Sequence, residues 1–185
     1  MSDLTITHAG STVTTTSDTS LAGGAVIKVT PAVQASAEYG ANDLVCIKTE
    51  IPKAVRQKGG VSIIRNVTIY QDVTTDVDYA VLFFDNDTGI GAAINGATSG
   101  ISDAEFKAAG CIGGMPFDGA GGDNVGNGRF LYGQSQSAYQ GLNQPLLVQA
   151  ASAQTSLWFV VMTVGTAVTY EAVDGLQLTF NVEYL

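Results

Sequence analysis

The residues able to do chemistry are few and scattered. The single histidine, His8, lies in a polar N-terminal stretch. A Ser-His-Asp or Cys-His arrangement would have to recruit it from a segment with little to bury. Cys46 and Cys111 stand far apart in no metal-like spacing, each among apolar neighbours, and are expected as buried free thiols. A zinc site would need His or Cys clusters that are absent. The expectation is a protein without a catalytic site and without a cofactor.

The carboxylates offer one partial motif. Asp85 and Asp87 in FDNDTG resemble the start of a calcium loop. Gly89 and Ile90 stand where the motif wants Asp or Asn and then Gly, and its closing Glu is missing. A turn whose Asp and Asn side chains bond their own backbone explains the same residues. Asp72, Asp76 and Asp78 surround an expected hairpin turn and form a second, weaker ion candidate. The glycine-rich run GAGGDNVGNG (119–128) lacks the G-K-[ST] ending of a phosphate loop and reads as a tightly turning connection. Trp158 lies inside an apolar strand and reads as core, while Tyr132 and Tyr139 flank the glycine-rich region and could face a glycan or a protein.

The elements that must position these residues are strands. GAVIKVT (24–30) and DLVCIKTEI (43–51) are short β-branched runs bounded by turn residues. In GVSIIRNVTIYQ (60–71), strict alternation puts Val61, Ile63, Val67 and Ile69 on one face, interrupted by Arg65. VDYAVLFF (77–84) follows a five-residue polar connection that fits a hairpin. SLWFVVMTV (156–164) is apolar on both faces, as a central strand covered on both sides should be. The final strand alternates cleanly, Leu176, Leu178, Phe180, Val182 and Tyr184 against Gln177, Thr179, Asn181 and Glu183.

Between Phe84 and Ser156 the pattern loosens. Fourteen of the 22 glycines lie in 86–143, where only GRFLYG (128–133) reads as a strand, followed by PLLVQA (145–150). One short helix is predicted at 102–109, with Ser102 and Glu105 forming a capping box and Gly110 the left-handed stop. The whole predicts an all-β, two-sheet antiparallel sandwich, jelly-roll-like, of about eight strands and one short helix. A polar arm (1–22) would precede a single domain (23–185) whose loop-rich region spans 86–143.

Of the 185 residues, 45% are hydrophobic and only 14% charged, well under the usual quarter. So little charge suits a surface that partners cover. The net charge of −9 argues against a nucleic-acid or anionic-membrane partner. Charge is uneven: residues 1–65 hold six Lys or Arg and five Asp or Glu, while 66–185 hold two against twelve. Five of the eight basic residues (Lys48, Lys53, Arg56, Lys58, Arg65) fall within eighteen positions and read either as a basic edge for an acidic partner or as a solvated loop between two strands. No signal-peptide pattern and no membrane-length apolar run is visible. Synthesis in a host cytoplasm is expected.

Three stretches taken together, IPKAVRQKGGVSIIRNVTIYQDVTTDVDYAVLFFD (51–85), ISDAEFKAAGCIGGMPF (101–117) and YEAVDGLQLTFNVEYL (170–185), resemble small structural proteins of tailed bacteriophages. The shared pattern is one of strands and turns and carries no chemical signature. The resemblance implies a virion protein with a jelly-roll-like fold, a decoration or cement protein on the outer capsid surface. Its implied partners are the major capsid protein and further copies of itself, with a trimer as the natural guess. The polar arm and the 119–128 run fall outside the shared pattern. Capsid-contact candidates are Ser2, Thr5, Thr12 and Thr15 in the arm and Lys53, Arg56 and Lys58 in the basic stretch. The competing readings are a glycan-binding head fibre or receptor-binding module using the 86–143 loops, a tail or baseplate part, and a glycan hydrolase needing two carboxylates at catalytic separation.

Overall fold

The computed structural model describes residues 4–8, 11–16, 23–132 and 145–185. Its strands are β1 (Leu4–His8), β2 (Ser11–Thr16), β3 (Gly24–Thr30), β4 (Glu38–Tyr39), β5 (Leu44–Ile51), β6 (Val61–Gln71), β7 (Asp78–Phe84), β8 (Cys111–Phe117), β9 (Asp123–Val125), β10 (Gly128–Tyr132), β11 (Leu146–Gln149), β12 (Leu157–Val164), β13 (Val168–Thr169) and β14 (Leu176–Tyr184). One helix, α1 (Asp103–Ala108), follows a 3-10 turn at Thr98–Gly100.

Two sheets face each other. The larger runs β1-β2-β3-β14-β6-β10-β9, with β11 sharing the β10 edge of β6, and the smaller runs β5-β12-β7-β8. Eight strands carry the sandwich: β3, β5, β6, β7, β8, β10, β12 and β14. Numbered one to eight along the chain, they stand 1-8-3-6 in one sheet and 2-7-4-5 in the other. That interleaving is the jelly roll. The other six strands, β13 and β4 pairing as a ribbon among them, are additions to this frame.

The core forms where the alternating faces meet. Leu176, Leu178, Phe180 and Val182 of β14 point inward, and Phe180 packs on Phe159 (ring centroids 5.1 Å) and Phe83 (6.2 Å) of the opposing sheet. Strand β12 is apolar on both sides because both are covered. Leu157, Phe159 and Val161 enter the main core, while Trp158 and Val160 join a second cluster with Leu44, Phe84, Ile90 and Ala109. Residues 86–110 lie over the outer face of the smaller sheet to make that cluster. Its segment 95–96 also bonds the free edge of β5, through Leu44 N–H to the Gly96 carbonyl (3.0 Å) and Asn95 N–H to the Leu44 carbonyl (2.8 Å). Part of an edge that would otherwise invite pairing is thereby closed.

Three expectations require correction. On β6 the buried positions are Ser62, Ile64, Val67, Ile69 and Gln71, so Val61 and Ile63 face outward. Pairing with β14 shifts between Asn66 and Ile64, leaving Arg65 as an extra residue, and this β-bulge reverses the alternation. The connection 72–77 is a corner, since β6 and β7 belong to different sheets. Buried Gln71 holds it by donating to the carbonyls of Val73 (3.0 Å) and Thr75 (2.7 Å). The region 86–143 also contains a strand the pattern did not announce, β8, whose sequence CIGGMPF carries two glycines and a proline. Strand β8 bonds only β7 and lies at the sheet edge, where such breakers are tolerated. The helix stands as expected: Ser102 accepts from Glu105 N–H, Glu105 answers the Ser102 backbone, and Gly110 follows at φ 67°.

Candidate functional site

The candidate chemical residues do not converge. His8 pairs with Ser11 in the β1–β2 hairpin. Among the described residues, no three of His, Cys, Asp and Glu gather as a metal site would require. Cys46 is fully buried and burial pushes its thiol up to about 12, whereas Cys111, expected to be buried, is exposed at the start of the edge strand β8.

Asp85 and Asp87 stand at a turn closed by their own neighbours. Asn86 Nδ2 donates to Asp85 Oδ1 (2.8 Å), and Thr88 N–H donates to Asn86 Oδ1 (2.9 Å). The cation facing them belongs to the chain. Lys48 Nζ donates to the carbonyls of Thr88 (2.7 Å) and Ala109 (2.9 Å) and lies 4.3 Å from the Phe84 ring centroid. Burial lowers its pKa to about 8, while the charges of Asp85 and Asp87 oppose that shift. This lysine fastens the 86–110 covering segment to the smaller sheet.

The second acidic group also separates into private uses. Asp72 accepts from Ala172 N–H (3.0 Å), Asp76 pairs with buried Arg129 (2.7 Å), and Asp78 accepts from Gly119 N–H (2.8 Å). The run 119–128 leads into the β9–β10 hairpin, turning at Gly126 with φ 63°. Trp158 is core, as expected. Tyr132 is 42% exposed, and Tyr139 lies outside the described residues.

The basic stretch divides into three. Lys48 is tied down as above, and Arg65 pairs with Glu183. Lys53, Arg56 and Lys58 remain exposed on the loop between β5 and β6. That loop is anchored along its length. Ala54 and Val55 are buried, Ser62 Oγ donates to the Ala54 carbonyl (2.7 Å), and Val55 N–H donates to Thr155 (3.0 Å). Gly59 N–H bonds the Gln154 carbonyl (3.0 Å), and Tyr184 donates to the Lys53 carbonyl (2.9 Å) while its ring lies under Arg56 (5.6 Å). Lys53 is held at φ 52°, a conformation such anchoring must support. Three cations on a pinned loop form a preorganised surface for an anionic partner, with little left to order on binding.

The arm candidates lie along the larger sheet. Strand β2 pairs with β3 and β1 with β2, in a register that sets Thr5 opposite Thr14, Thr12 opposite Thr30 and Thr15 opposite Ile27. Ser2 lies outside the described residues. The arm is thus paired with its own domain, and β1 leaves one backbone edge open within the described chain.

Sequence reasoning passed over the outer face of the larger sheet. Tyr70 pairs with Phe130 (centroids 5.0 Å), Tyr132 with Thr68, Gln177 with Tyr70, and Asn181 with Asn66. The β14–β6–β10 centre of this face is hydroxyl, amide and aromatic, bordered by Lys28 opposite Thr179, Asp123 opposite Phe130 and the Arg65–Glu183 pair. The polar alternates of the last strand, Gln177, Thr179 and Asn181, were its visible signal. With respect to known proteins, no family model, curated protein or solved structure matches this chain.

Proposed function

We propose that this chain is a virion structural protein that decorates and cements the head of a tailed bacteriophage by binding its major capsid protein. The observation that carries the reading is the uncharged centre of the larger sheet's outer face, bordered by charged side chains, with the threonine-rich arm paired beyond Lys28 and the pinned basic loop at one end. Interfaces are depleted of charge at their centre and charged at their rim, which is the distribution found here. The resemblance of the three sequence stretches and the jelly roll are consistent with it, although a fold alone does not assign a function. The work is mechanical: many copies, each adding a modest interface to a closed lattice, gain strength by avidity. Lys53, Arg56 and Lys58 then dock on an acidic surface of the assembled particle.

A second reading, a glycan-binding head fibre or receptor-binding module, is favoured by Tyr70, Phe130 and Tyr132 grouped on the same face. A cryo-EM map of a particle carrying this chain separates the two. Density on the capsid with the Tyr70 face against the shell is the expected result. Density on a projecting fibre with that face toward solvent would replace the cement reading by glycan recognition. Deleting residues 2–20 should weaken incorporation, and undiminished incorporation would remove the arm from the attachment.

A further inference from the structure

The jelly-roll topology gathers four acidic connections at the end opposite the 52–60 loop. Strand β6 starts beside the 52–60 loop and finishes at the 72–77 corner, and its eleven residues separate these points by roughly 35 Å. The connections sharing the far end are 31–43, 72–78, 118–127 and 165–175, because β3, β6 and β12 finish there and β7, β10 and β14 begin there. They hold two, three, two and two carboxylates, nine of the chain's 17, and no Lys or Arg. Glu38, Asp76, Asp123, Glu171 and Asp174 are exposed among them. Of the cations on the adjoining strands, Arg129 of β10 is buried and paired with Asp76, and Lys28 is exposed on β3 three positions before the 31–43 connection.

Each end also exposes large apolar side chains. Leu147 and Leu185 flank the basic loop, tied to it through the Gln149 bond to the Gly59 carbonyl (3.1 Å) and the Leu185 N–H bond to Val61 (3.2 Å). Val125 and Val173 project at the acidic end. A separation of roughly 35 Å is several screening lengths at physiological salt, about 8 Å, so the two ends do not neutralise each other within one molecule. The exposed loop cations and the exposed far-end carboxylates are left for partners of opposite charge.

We infer that the acidic surface receiving Lys53, Arg56 and Lys58 is the 31–43 and 165–175 end of a second copy of this chain, giving head-to-tail contacts between neighbours. The inference deepens the docking role proposed for the 52–60 loop and rests on it. Such an interface is heterologous: it joins unlike patches, and so propagates along a row or closes into a ring according to the rotation between copies. With the Tyr70 face seated on a shell, strands lie along the surface and their ends meet neighbouring copies laterally.

The test uses the purified full-length chain in analytical ultracentrifugation at low and high salt. The expected result is a mass that rises with concentration at low salt and falls back to monomer at high salt. Lys53→Glu/Arg56→Glu/Lys58→Glu alone and Glu38→Lys/Glu171→Lys/Asp174→Lys alone should each lose at least about tenfold in self-affinity. Mixed in equal amounts the two variants should associate, since each then meets an end of opposite sign. Lys53→Gln/Lys58→Gln, which leaves Arg56 on Tyr184, should show an intermediate loss and guards against misfolding. A wild-type chain monomeric at every concentration, variants that associate as wild type does, or a mixture that stays monomeric would each overturn the inference. Loss of particle incorporation by the first variant with unchanged self-association would also overturn it, while leaving the loop as a contact to the capsid protein itself.

Discussion

The hydroxyls of Tyr79 and Tyr170 meet at 2.8 Å in the sealed interior, where Tyr79 also donates to Gln71 Oε1 at 2.7 Å. Gln71 sits on the larger sheet, Tyr79 on the smaller, and Tyr170 just after β13, so one chain of hydrogen bonds ties both sheets to the 165–175 connection. Tyr39 completes the group by packing edge-on against Tyr170 at 5.6 Å, its hydroxyl receiving Gln34 N–H at 2.6 Å. Buried polar groups stabilise only when every member is satisfied.

That dependence makes the two central tyrosines unequal. Tyr79→Phe strands both Gln71 Oε1 and the Tyr170 hydroxyl, and should cost about 2–3 kcal/mol. Tyr170→Phe leaves the Tyr79–Gln71 bond in place and should cost about 1 kcal/mol. Urea denaturation of the two variants gives the comparison; equal costs would mean the network does not run through Tyr79.

Phe180 lies between Phe83 and Phe159 across the sandwich. Phe180→Ala should cost about 3–5 kcal/mol, the range for emptying an aromatic site in a packed core. A loss below about 1 kcal/mol in the same denaturation assay would show that the sheets close over the gap.

Two glycines at left-handed φ separate backbone strain from crowding. A Cβ at Gly126 (φ 63°) would meet nothing within 4 Å, so Gly126→Ala should cost about 1 kcal/mol through conformation alone. A Cβ at Gly110 (φ 67°) would fall 1.8 Å from Asp85 Oδ1 and 2.4 Å from Asn86 Nδ2. Gly110→Ala should therefore cost about 2 kcal/mol, the extra part being the Asp85–Asn86 contact it displaces. Melting temperatures of the pair should fall in that order.

The cysteines report on burial directly. A thiol reagent should modify Cys111 in the native protein and Cys46 only on unfolding. Cys46 also links stability to pH. Its folded pKa, about 12, lies above the ordinary 9.0, so below pH 9 both states hold the proton and the contribution is complete. From pH 9 to 12 the unfolded chain loses the proton and the folded chain keeps it, so stability falls. Burial raises Tyr79 and Tyr170 in the same sense, while Lys48, lowered to about 8, contributes oppositely. Cys46→Val, close in volume, should flatten the decline of the urea midpoint between pH 9 and 12; an unchanged slope would assign the decline to the tyrosines.

What the sequence determined by itself was local. The alternation of β14, the doubly apolar β12 and the capping box of α1 each rest on neighbours within a few positions, and each appears where the pattern puts it. Such signals come from hydrophobic period and backbone capping, which need no knowledge of distant partners. Tertiary structure decided the rest. The bulge at Arg65 is set by register against β14, and no pattern within β6 announces it. Strand β8 exists because β7 offers an edge that tolerates Gly113, Gly114 and Pro116. The five clustered basic residues became one internal clamp at Lys48, one ion pair at Arg65 and three exposed cations, Arg56 among them over the Tyr184 ring, according to what each met across the fold. The carboxylates of four connections distant in sequence share one end only because the jelly roll returns four turns to the same place. Long-range pairing fixes which side chains share a surface, and a linear pattern does not contain it.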